Sequence, residues 1–376
     1  MYPFWLWSRG LTFTQRLQFL VGGQSNASGR GVINALAARG DASTFVFGND
    51  YVWRRAEEPI DDPTNQVDTV SADTGSVIPG VIGHGFAMQA MLGLVSQGRR
   101  LDLIPCAMGG STMANWAPGA DRLNRATLYG SANYRRTQAA VATLTAILWF
   151  GHEADAASAS YATSWSTLVS AFRTDFGASV PFFYCQLAKH TTSATNTQHN
   201  NAADVQRRQE TGSGDALAMT NMRMVVTFDQ PLIDAIHLND TAQRVVGQRM
   251  ALAIRQHVLG ESVDGTGPRL NGAPTHPGGA KNQVKVDTTQ TLATIASNAD
   301  NQFRVYDGAS EMTISSVVRD PADASAVLIT MSATAAGTVT VSYGDVAASG
   351  AGVTLSNAVK NAAGLPLPRF AALTVV

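Results

Sequence analysis

Long apolar runs, cysteine-rich patterns and an excess of charge of one sign are all missing from this sequence. No apolar run is long enough to cross a bilayer as a helix, so we expect no transmembrane segment. The 27 basic and 28 acidic residues give a formal net charge of −1, which gives no indication of nucleic-acid binding. We therefore expect neither nucleic acid nor a membrane as a partner of this chain.

Disulfide and metal patterns are equally scarce. Cys106 and Cys185 lie in apolar strand-like runs, which predicts buried free thiols. His190 and His199 lie in a polar stretch without matching acidic spacing, so we expect no metal site. Residues 1–7 are apolar and aromatic, but no basic region precedes them and no clear cleavage site follows. We expect a packed arm or strand there and no secretory signal, which leaves open a cytoplasmic location or a virion-associated or exported one.

The length and the change of composition along the chain predict two domains. Up to residue 260, strand-like runs alternate with helical spacing, which favours an α/β fold with a parallel sheet covered on both faces. Residues 261–283 are rich in glycine and proline and predict a linker. Residues 284–376 contain short alternating runs between small turn residues, which predict a small all-β sandwich.

Local patterns assign the elements of the first 260 residues. A hairpin is predicted around Gly48-Asn49-Asp50, between runs 44–47 and 51–54. The predicted strands are 17–21, 101–107, 146–150, 181–187 and 223–228. The predicted helices are 85–97, 134–145, 156–176, 201–210 and 239–258, of which 201–210 is expected to be polar and exposed.

Two short polar stretches carry candidate chemistry. Gln24-Ser25-Asn26 follows the first strand after Gly22-Gly23, at the sheet edge where α/β proteins bind ligands. A serine there can act as a nucleophile, or it can merely cap the next turn. Asp234 precedes His237 by three residues, so its carboxylate can orient the imidazole as a base for that serine. Alternatively, Asp234 and Asn239 cap the following helix and His237 is an ordinary loop residue.

Four blocks in order resemble the SGNH-hydrolase superfamily, and more closely its sialate O-acetylesterase and acetylxylan-esterase branch. The first three blocks are Gly23-Gln24-Ser25-Asn26, Ala107-Met108-Gly109-Gly110-Ser111 with Trp116-Ala117-Pro118-Gly119, and Trp149 with Glu153-Ala154-Asp155. The fourth block is Asp234-Ala235-Ile236-His237-Leu238-Asn239. The chain's ending also looks like the β module that ends some relatives.

The resemblance implies a three-layer α/β/α, flavodoxin-like catalytic domain over residues 1–260, with five parallel strands. It implies Ser25 as nucleophile, His237 as base and Asp234 as the residue that orients the base. The oxyanion hole would use the backbone N–H groups of Ser25 and Gly110. In the implied strand order Cys106 and Cys185 are not on neighbouring strands, which excludes a disulfide between them.

The third block departs from the family pattern Trp-x-Gln-Gly-Glu, because Gly151 replaces the glutamine and His152 the glycine. Either one oxyanion donor is lost, or His152 supplies it from the space left beside Gly151. Candidate substrate contacts are Gln24, Asn26, Trp116 and Glu153. Trp116 is either a sugar-stacking wall or a core residue, and Glu153 has a structural alternative.

These expectations describe a serine esterase that removes acetyl groups from a sugar or polysaccharide without a metal or organic cofactor. The alternative from another class is a catalytically weakened carbohydrate-binding or phage-tail-type protein on the same scaffold, which the Gly151-His152 change motivates. A lipid or thioester hydrolase would need a long apolar channel, and the polar, glycine-rich loops disfavour it. The 284–376 module is expected to have a structural or assembly role.

Overall fold

The computed structural model describes residues 12–33, 40–70, 83–295, 302–345 and 358–376, and the predicted arm 1–7 lies outside them. Its first part is built around a seven-stranded sheet of order β3-β2-β4-β1-β5-β6-β7. All neighbours in it are parallel except β2 and β3. The strands are β1 (Gln15–Gly23), β2 (Thr44–Phe47), β3 (Trp53–Arg55), β4 (Arg99–Ala107), β5 (Ala146–Phe150), β6 (Phe182–Cys185) and β7 (Met222–Val225).

The α/β class is confirmed, and the sheet is larger than the five expected strands. Those five occur as β4-β1-β5-β6-β7, and the predicted hairpin adds β2 and β3 at one edge. Free Cys106 on β4 and free Cys185 on β6 are separated by two strands, as expected. No helix of the described ranges is long and apolar enough to span a membrane.

Helices cover both faces of the sheet. Successive side chains of β1 point to opposite faces, so neighbouring residues of this strand pack against different helices. Leu20 packs in one core with the helices over 128–138, 161–176 and 193–209, whereas Phe19 and Val21 pack in another with the helices over 86–92 and 240–257. A one-turn helix, α1, follows β1 directly. The helices are α1 (Ser25–Ser28), α2 (Phe86–Leu92), α3 (Leu128–Gln138), α4 (Tyr161–Phe176), α5 (Ser193–Gln209) and α6 (Asp240–His257).

Several helix bounds were predicted wrongly: the helix 85–97 ends at Leu92, and the helix 156–176 begins only at Tyr161. The helix predicted at 134–145 is α3, which begins earlier because the Thr127 side chain accepts a hydrogen bond from the Gly130 N–H and caps it. The helix predicted at 201–210 is α5, which starts eight residues earlier and is not exposed throughout. Its Asn196, Asn200 and Gln206 are buried, since this polar side faces other parts of the protein.

The C-terminal part is an all-β module of two packed antiparallel sheets, as predicted. One sheet has the order β10-β9-β13-β14 and the other β11-β12-β8. Apolar side chains of this module and of the α/β part form one continuous core. The strands are β8 (Gln283–Asp287), β9 (Phe303–Asp307), β10 (Ser310–Met312), β11 (Ile314–Arg319), β12 (Ala326–Met331), β13 (Val339–Tyr343) and β14 (Phe370–Thr374).

Candidate active site

Two glycines at the end of β1 let the chain pass tightly over β5. A Cβ on Gly22 would lie 2.6 Å from the Trp149 ring, and one on Gly23 would lie 1.9 Å from the Phe150 carbonyl oxygen. Gly23 also has a φ of +127°, which residues other than glycine rarely adopt. The Gln24 N–H then donates to the Phe150 carbonyl at 2.8 Å, and Ser25 begins α1 directly at the carboxyl edge of the sheet.

Ser25, His237 and Asp234 form a hydrogen-bonded row across this edge. Ser25 Oγ lies 2.8 Å from His237 Nε2, and His237 Nδ1 lies 2.6 Å from Asp234 Oδ2. In the tautomer with hydrogen on Nδ1, the ring donates to the carboxylate and accepts from the serine hydroxyl. The structure therefore brings together the three residues that the two polar stretches pointed to.

The Asp234 carboxylate is held ionised by its own loop. Burial raises its pKa, but hydrogen bonds from the His237 ring and from the backbone N–H groups of His237 and Ile236 outweigh burial, so the pKa lies below its usual value. The backbone bonds measure 2.8 and 2.9 Å. The Asp234 side chain is 51% exposed and that of His237 24%, so the row lies open to solvent.

Asn26 joins the serine turn to residues 231–239, which we call the histidine loop. Its Oδ1 accepts from the Leu238 N–H at 3.0 Å and its Nδ2 donates to the Ile236 carbonyl at 3.3 Å, one bond on each side of His237. The same Nδ2 donates to Glu153 Oε1 at 2.8 Å.

This arrangement corrects Asn26 as a predicted substrate contact and favours the structural alternative for Glu153. Asn26 is fully buried, so its side chain is occupied in holding the loop. Glu153 is also buried, and burial raises its pKa. Its second oxygen has no hydrogen-bond partner among the described residues. Sequence reasoning named both residues from the family blocks and left a structural role open for Glu153, but it missed the role of Asn26, which depends on contacts between distant segments.

Trp116 is a core residue, which is the second of its two predicted roles, and its burial leaves no exposed ring face for a sugar to stack on. Its ring is 1% exposed, lies edge-on to Trp149 at 5.1 Å between centroids, and donates through Nε1 to Ser111 Oγ at 2.9 Å. Gln24 is buried as well, and its Oε1 accepts from the Ala154 N–H at 3.4 Å.

The glycine block lies beside the end of β1. The Met108 N–H donates to the Gly23 carbonyl at 3.0 Å, and Gly110 follows in a turn with a φ of +70°. Apart from its two chain neighbours, no described residue has a heavy atom within 4 Å of the position that a Cβ on Gly110 would take, so this side of the turn is open. The use of the Ser25 and Gly110 N–H groups as an oxyanion hole stays a prediction.

His152 lies in an aromatic cluster, and the space expected beside Gly151 is absent. A Cβ on Gly151 would lie 3.0 Å from the Gln24 backbone nitrogen and 3.3 Å from its Cγ. The His152 ring packs against Trp165 at 4.4 Å between centroids, and against Trp149 and Tyr161. Burial lowers its pKa to about 3, so the imidazole is neutral. The geometry thus offers no support for His152 as an oxyanion donor, and that role stays an untested prediction.

Metal ligands do not converge in the described ranges: no group of three His, Cys, Asp or Glu side chains is placed to hold an ion. The arrangement is instead suited to acid–base chemistry on a nucleophilic serine.

Comparison with known proteins finds solved structures with a similar fold. A carbohydrate acetylesterase from Xanthomonas citri, XAC1771, has a similar fold with a TM-score of 0.67 and 19% identity, over 94% of this chain and 80% of that chain. A protein from Arabidopsis thaliana has a TM-score of 0.51 and 24% identity, over 65% of this chain and 99% of that chain. None of the curated proteins matches significantly.

The family-level match covers most of the α/β part. Residues 15–256 match the family described as carbohydrate esterase, sialic acid-specific acetylesterase. This range contains the four blocks and every member of the hydrogen-bonded row. The chain belongs to this family of carbohydrate esterases, and its enzymatic class is that of the carboxylic ester hydrolases.

Proposed function

We propose that the protein is a serine esterase that removes O-acetyl groups from a carbohydrate or polysaccharide through an acyl-enzyme. The observation that carries the proposal is the row in which Ser25 Oγ lies 2.8 Å from His237 Nε2 and His237 Nδ1 lies 2.6 Å from Asp234. A serine hydroxyl is a weak nucleophile unless a base takes its proton, and this row supplies such a base with a fixed tautomer.

The reaction has two steps that balance around one proton. Ser25 Oγ attacks the acetyl carbon while its proton passes to His237 Nε2. His237 then gives the proton to the departing sugar oxygen, the bond from the acetyl carbon to that oxygen breaks, and the acetyl group stays on Ser25. A water molecule next gives its proton to His237 and attacks the acyl-enzyme, which releases acetate and returns the proton to Ser25 Oγ.

Negative charge develops on the former carbonyl oxygen in both steps. We assign its stabilisation to the backbone N–H groups of Ser25 and Gly110, because the two turns lie side by side at the end of β1. One such donor is worth about 3–4 kcal/mol of transition-state stabilisation in well-studied cases. A missing glutamine donor at Gly151 would therefore make the enzyme slower without changing its mechanism.

The test is turnover of a chromogenic acetate ester and of an acetylated polysaccharide by the Ser25→Ala variant. We expect a loss of about 10³-fold or more in kcat with the fold unchanged, as for triad removal elsewhere. Ser158→Ala, at an exposed position, is the matched control and should keep full activity. Wild-type turnover in a clean Ser25→Ala preparation would reject the assignment. Saturable polysaccharide binding without turnover by the wild type would instead favour the carbohydrate-binding alternative.

A further inference from the structure

A buried arginine of the β module reaches into the α/β part beside the candidate site. Arg369 directly precedes β14 and is fully buried. Its backbone pairs with the Gln186 side chain, which accepts from the Arg369 N–H at 3.1 Å and donates to the Arg369 carbonyl at 2.9 Å. The guanidinium therefore starts from a fixed backbone position at the carboxyl end of β6.

The guanidinium is held by uncharged oxygens from three segments. Nε donates to Asn200 Oδ1 at 2.7 Å, and Nη1 donates to the Ala188 carbonyl at 3.2 Å. Nη2 donates to the Asn196 carbonyl and side-chain oxygen, both at 3.1 Å, and to the Gly344 carbonyl at 3.0 Å. Within the described residues the guanidinium makes no direct ion pair, although the carboxylate of Asp345, one residue after Gly344, attracts it at longer range.

Burying a cation without a directly paired counter-ion is costly, and burial lowers the pKa of Arg369 to about 9, although the charge of Asp345 opposes the shift. The surroundings are shaped to accept it nevertheless. A Cβ on Gly344 would lie 2.6 Å from the Arg369 Cβ, and Gly344 has a φ of +81°. Both the lack of space and the backbone conformation therefore require glycine at this position. An apolar side chain would fill the same volume without that cost. The hydrogen bonds made by Arg369 therefore call for a role that an apolar residue could not fill.

These hydrogen bonds continue to the histidine loop through residues 188–192, which we call the bridging segment. Asn196 Oδ1, which accepts from Arg369, also accepts from the His190 N–H at 3.0 Å. The next residue, Thr191, donates its N–H to the carbonyl of Ala235 at 3.1 Å. Ala235 lies between Asp234 and Ile236, within the loop that holds the imidazole. The start of the bridging segment is fixed from the other side, where His199 Nδ1 lies 3.0 Å from the Ala188 carbonyl.

We propose that Arg369 is a positioning residue of the esterase: it holds the bridging segment against the histidine loop and so sets the geometry of the Asp234–His237 pair. The inference rests on the proposed function. It means that the β module contributes to the geometry of the active site through Arg369. Arg369 touches no substrate, so its effect on the reaction passes through Asn196 and Thr191.

The test uses the full chain with Arg369→Lys, Asn196→Ala and the double variant. Lysine keeps the charge but cannot donate to all three segments at once. Arg319→Lys is the matched control, because Arg319 lies in the same module and donates to the Leu292 carbonyl at 3.1 Å, away from the bridging segment. Hydrogen exchange of residues 231–239 and steady-state kinetics on a chromogenic acetate are measured for all variants.

We expect faster exchange in the histidine loop for both single variants, with kcat reduced about tenfold to a hundredfold and KM little changed, since a small misplacement of a reacting group costs up to about 10²-fold. The double variant should be no slower than the slower single variant, because both changes interrupt one path. Arg319→Lys should match the wild type in both measurements.

The proposal is overturned if Arg369→Lys folds and shows wild-type exchange in the histidine loop and wild-type kcat. A purely structural anchor would lower the unfolding midpoint and leave both measurements in the folded protein unchanged. If Arg369→Lys does not fold, Asn196→Ala decides by the same two measurements. If the wild type itself fails to hydrolyse acetate esters, the proposed function fails, and the exchange of residues 231–239 alone decides whether Arg369 positions this loop.

Discussion

At the scale of single residues, Asn26 is the side chain on which the alignment of His237 depends most directly. It is buried, and it bonds the backbone on both sides of His237 while Glu153 fixes its amide orientation. Among the described residues the imidazole itself bonds only to Ser25 and Asp234, and the Asp234 side chain is half exposed. The buried Asn26 amide, which bonds the backbone on both sides of His237, therefore holds the imidazole in place more firmly than the half-exposed Asp234 does.

We expect Asn26→Ala to impair both activity and stability. The change leaves the Leu238 N–H and Glu153 Oε1 without partners, and each buried unsatisfied group costs about 1–3 kcal/mol. The kcat should fall by at least about tenfold, because the loop no longer holds the imidazole at the serine. Urea unfolding and acetate-ester kinetics measure the two effects, with the exposed Asn271→Ala as control. An Asn26→Ala variant with wild-type kcat would show that the loop holds His237 without this amide.

The sequence allowed Ser25, Asp234 and His237 to be chosen because each lies in a short pattern with its own chemistry. Ser25 follows the Gly22-Gly23 turn, and Asp234 precedes His237 by three residues in the same loop. Trp116 and Asn26 could not be placed in this way. Both are polar or amphipathic residues in family blocks, and only the packing of distant segments decides that they are buried.

At the scale of elements, the start of α2 depends on a buried carboxyl group. Glu58 accepts hydrogen bonds from the Ile60 N–H at 2.9 Å and from the Gly85 N–H at 3.3 Å, the latter at the first position before α2. Burial raises the pKa of Glu58 to about 8, although both hydrogen bonds oppose the shift. At neutral pH this group is therefore mostly protonated in the folded protein.

This raised pKa predicts how stability depends on pH. The folded pKa lies above the unfolded one, so the stabilisation by protonated Glu58 is complete below about pH 4.5 and is lost as pH rises to about 8. Glu58→Gln removes the titration, so the variant should gain stability relative to the wild type between about pH 5 and about pH 8. Urea unfolding across this range measures the difference. Glu57→Gln, at an exposed neighbouring position, controls for the lost charge, and a constant difference for Glu58→Gln would contradict the prediction.

Continuous apolar runs were easier to predict than polar helices for a physical reason. The strand β5 has the predicted bounds, since five consecutive buried apolar residues form a distinct run. The sequence predicts only the second half of α5, as an exposed helix, because the first half is polar and typical of a loop. That polarity serves burial: Asn196 and Asn200 accept hydrogen bonds from Arg369, which is more than 160 residues away. Sequence periodicity carries no information about such a partner.

At the scale of the whole molecule, the β module and the α/β part share one core. The Phe228 ring, after β7, lies edge-on to Tyr343 of β13 at 5.4 Å between centroids. The segment 261–283, which joins the two parts, is also packed, since its Arg269 pairs with the buried Glu210 of the α/β part. We therefore propose that 1–260, 261–283 and 284–376 are divisions of the sequence and that the folded protein unfolds as one unit.

Tyr343, in the β module, offers a test of cooperative unfolding. All six tryptophans precede residue 166, so tryptophan fluorescence reports on the part of the chain outside that module. Tyr343 is fully buried, and its hydroxyl accepts from the Val359 N–H at 2.8 Å. Tyr343→Ala removes a large aromatic contact and should cost about 3–5 kcal/mol, as for other buried aromatic residues. In a cooperative molecule this loss is felt by the tryptophans of the α/β part, although the substitution lies in the other part.

We expect the urea midpoint of tryptophan fluorescence to fall in Tyr343→Ala by the same amount as the midpoint of far-ultraviolet circular dichroism. Tyr306→Ala, at a partly exposed position of the same module, is the control and should shift both midpoints much less. A shortened chain that ends at Gly260 should lose its cooperative transition, because Phe228 and the partners of Arg369 are left uncovered and a domain's whole stability is only about 5–15 kcal/mol. An unchanged tryptophan midpoint in Tyr343→Ala, or a soluble shortened chain that unfolds cooperatively, would show that the α/β part is stable by itself.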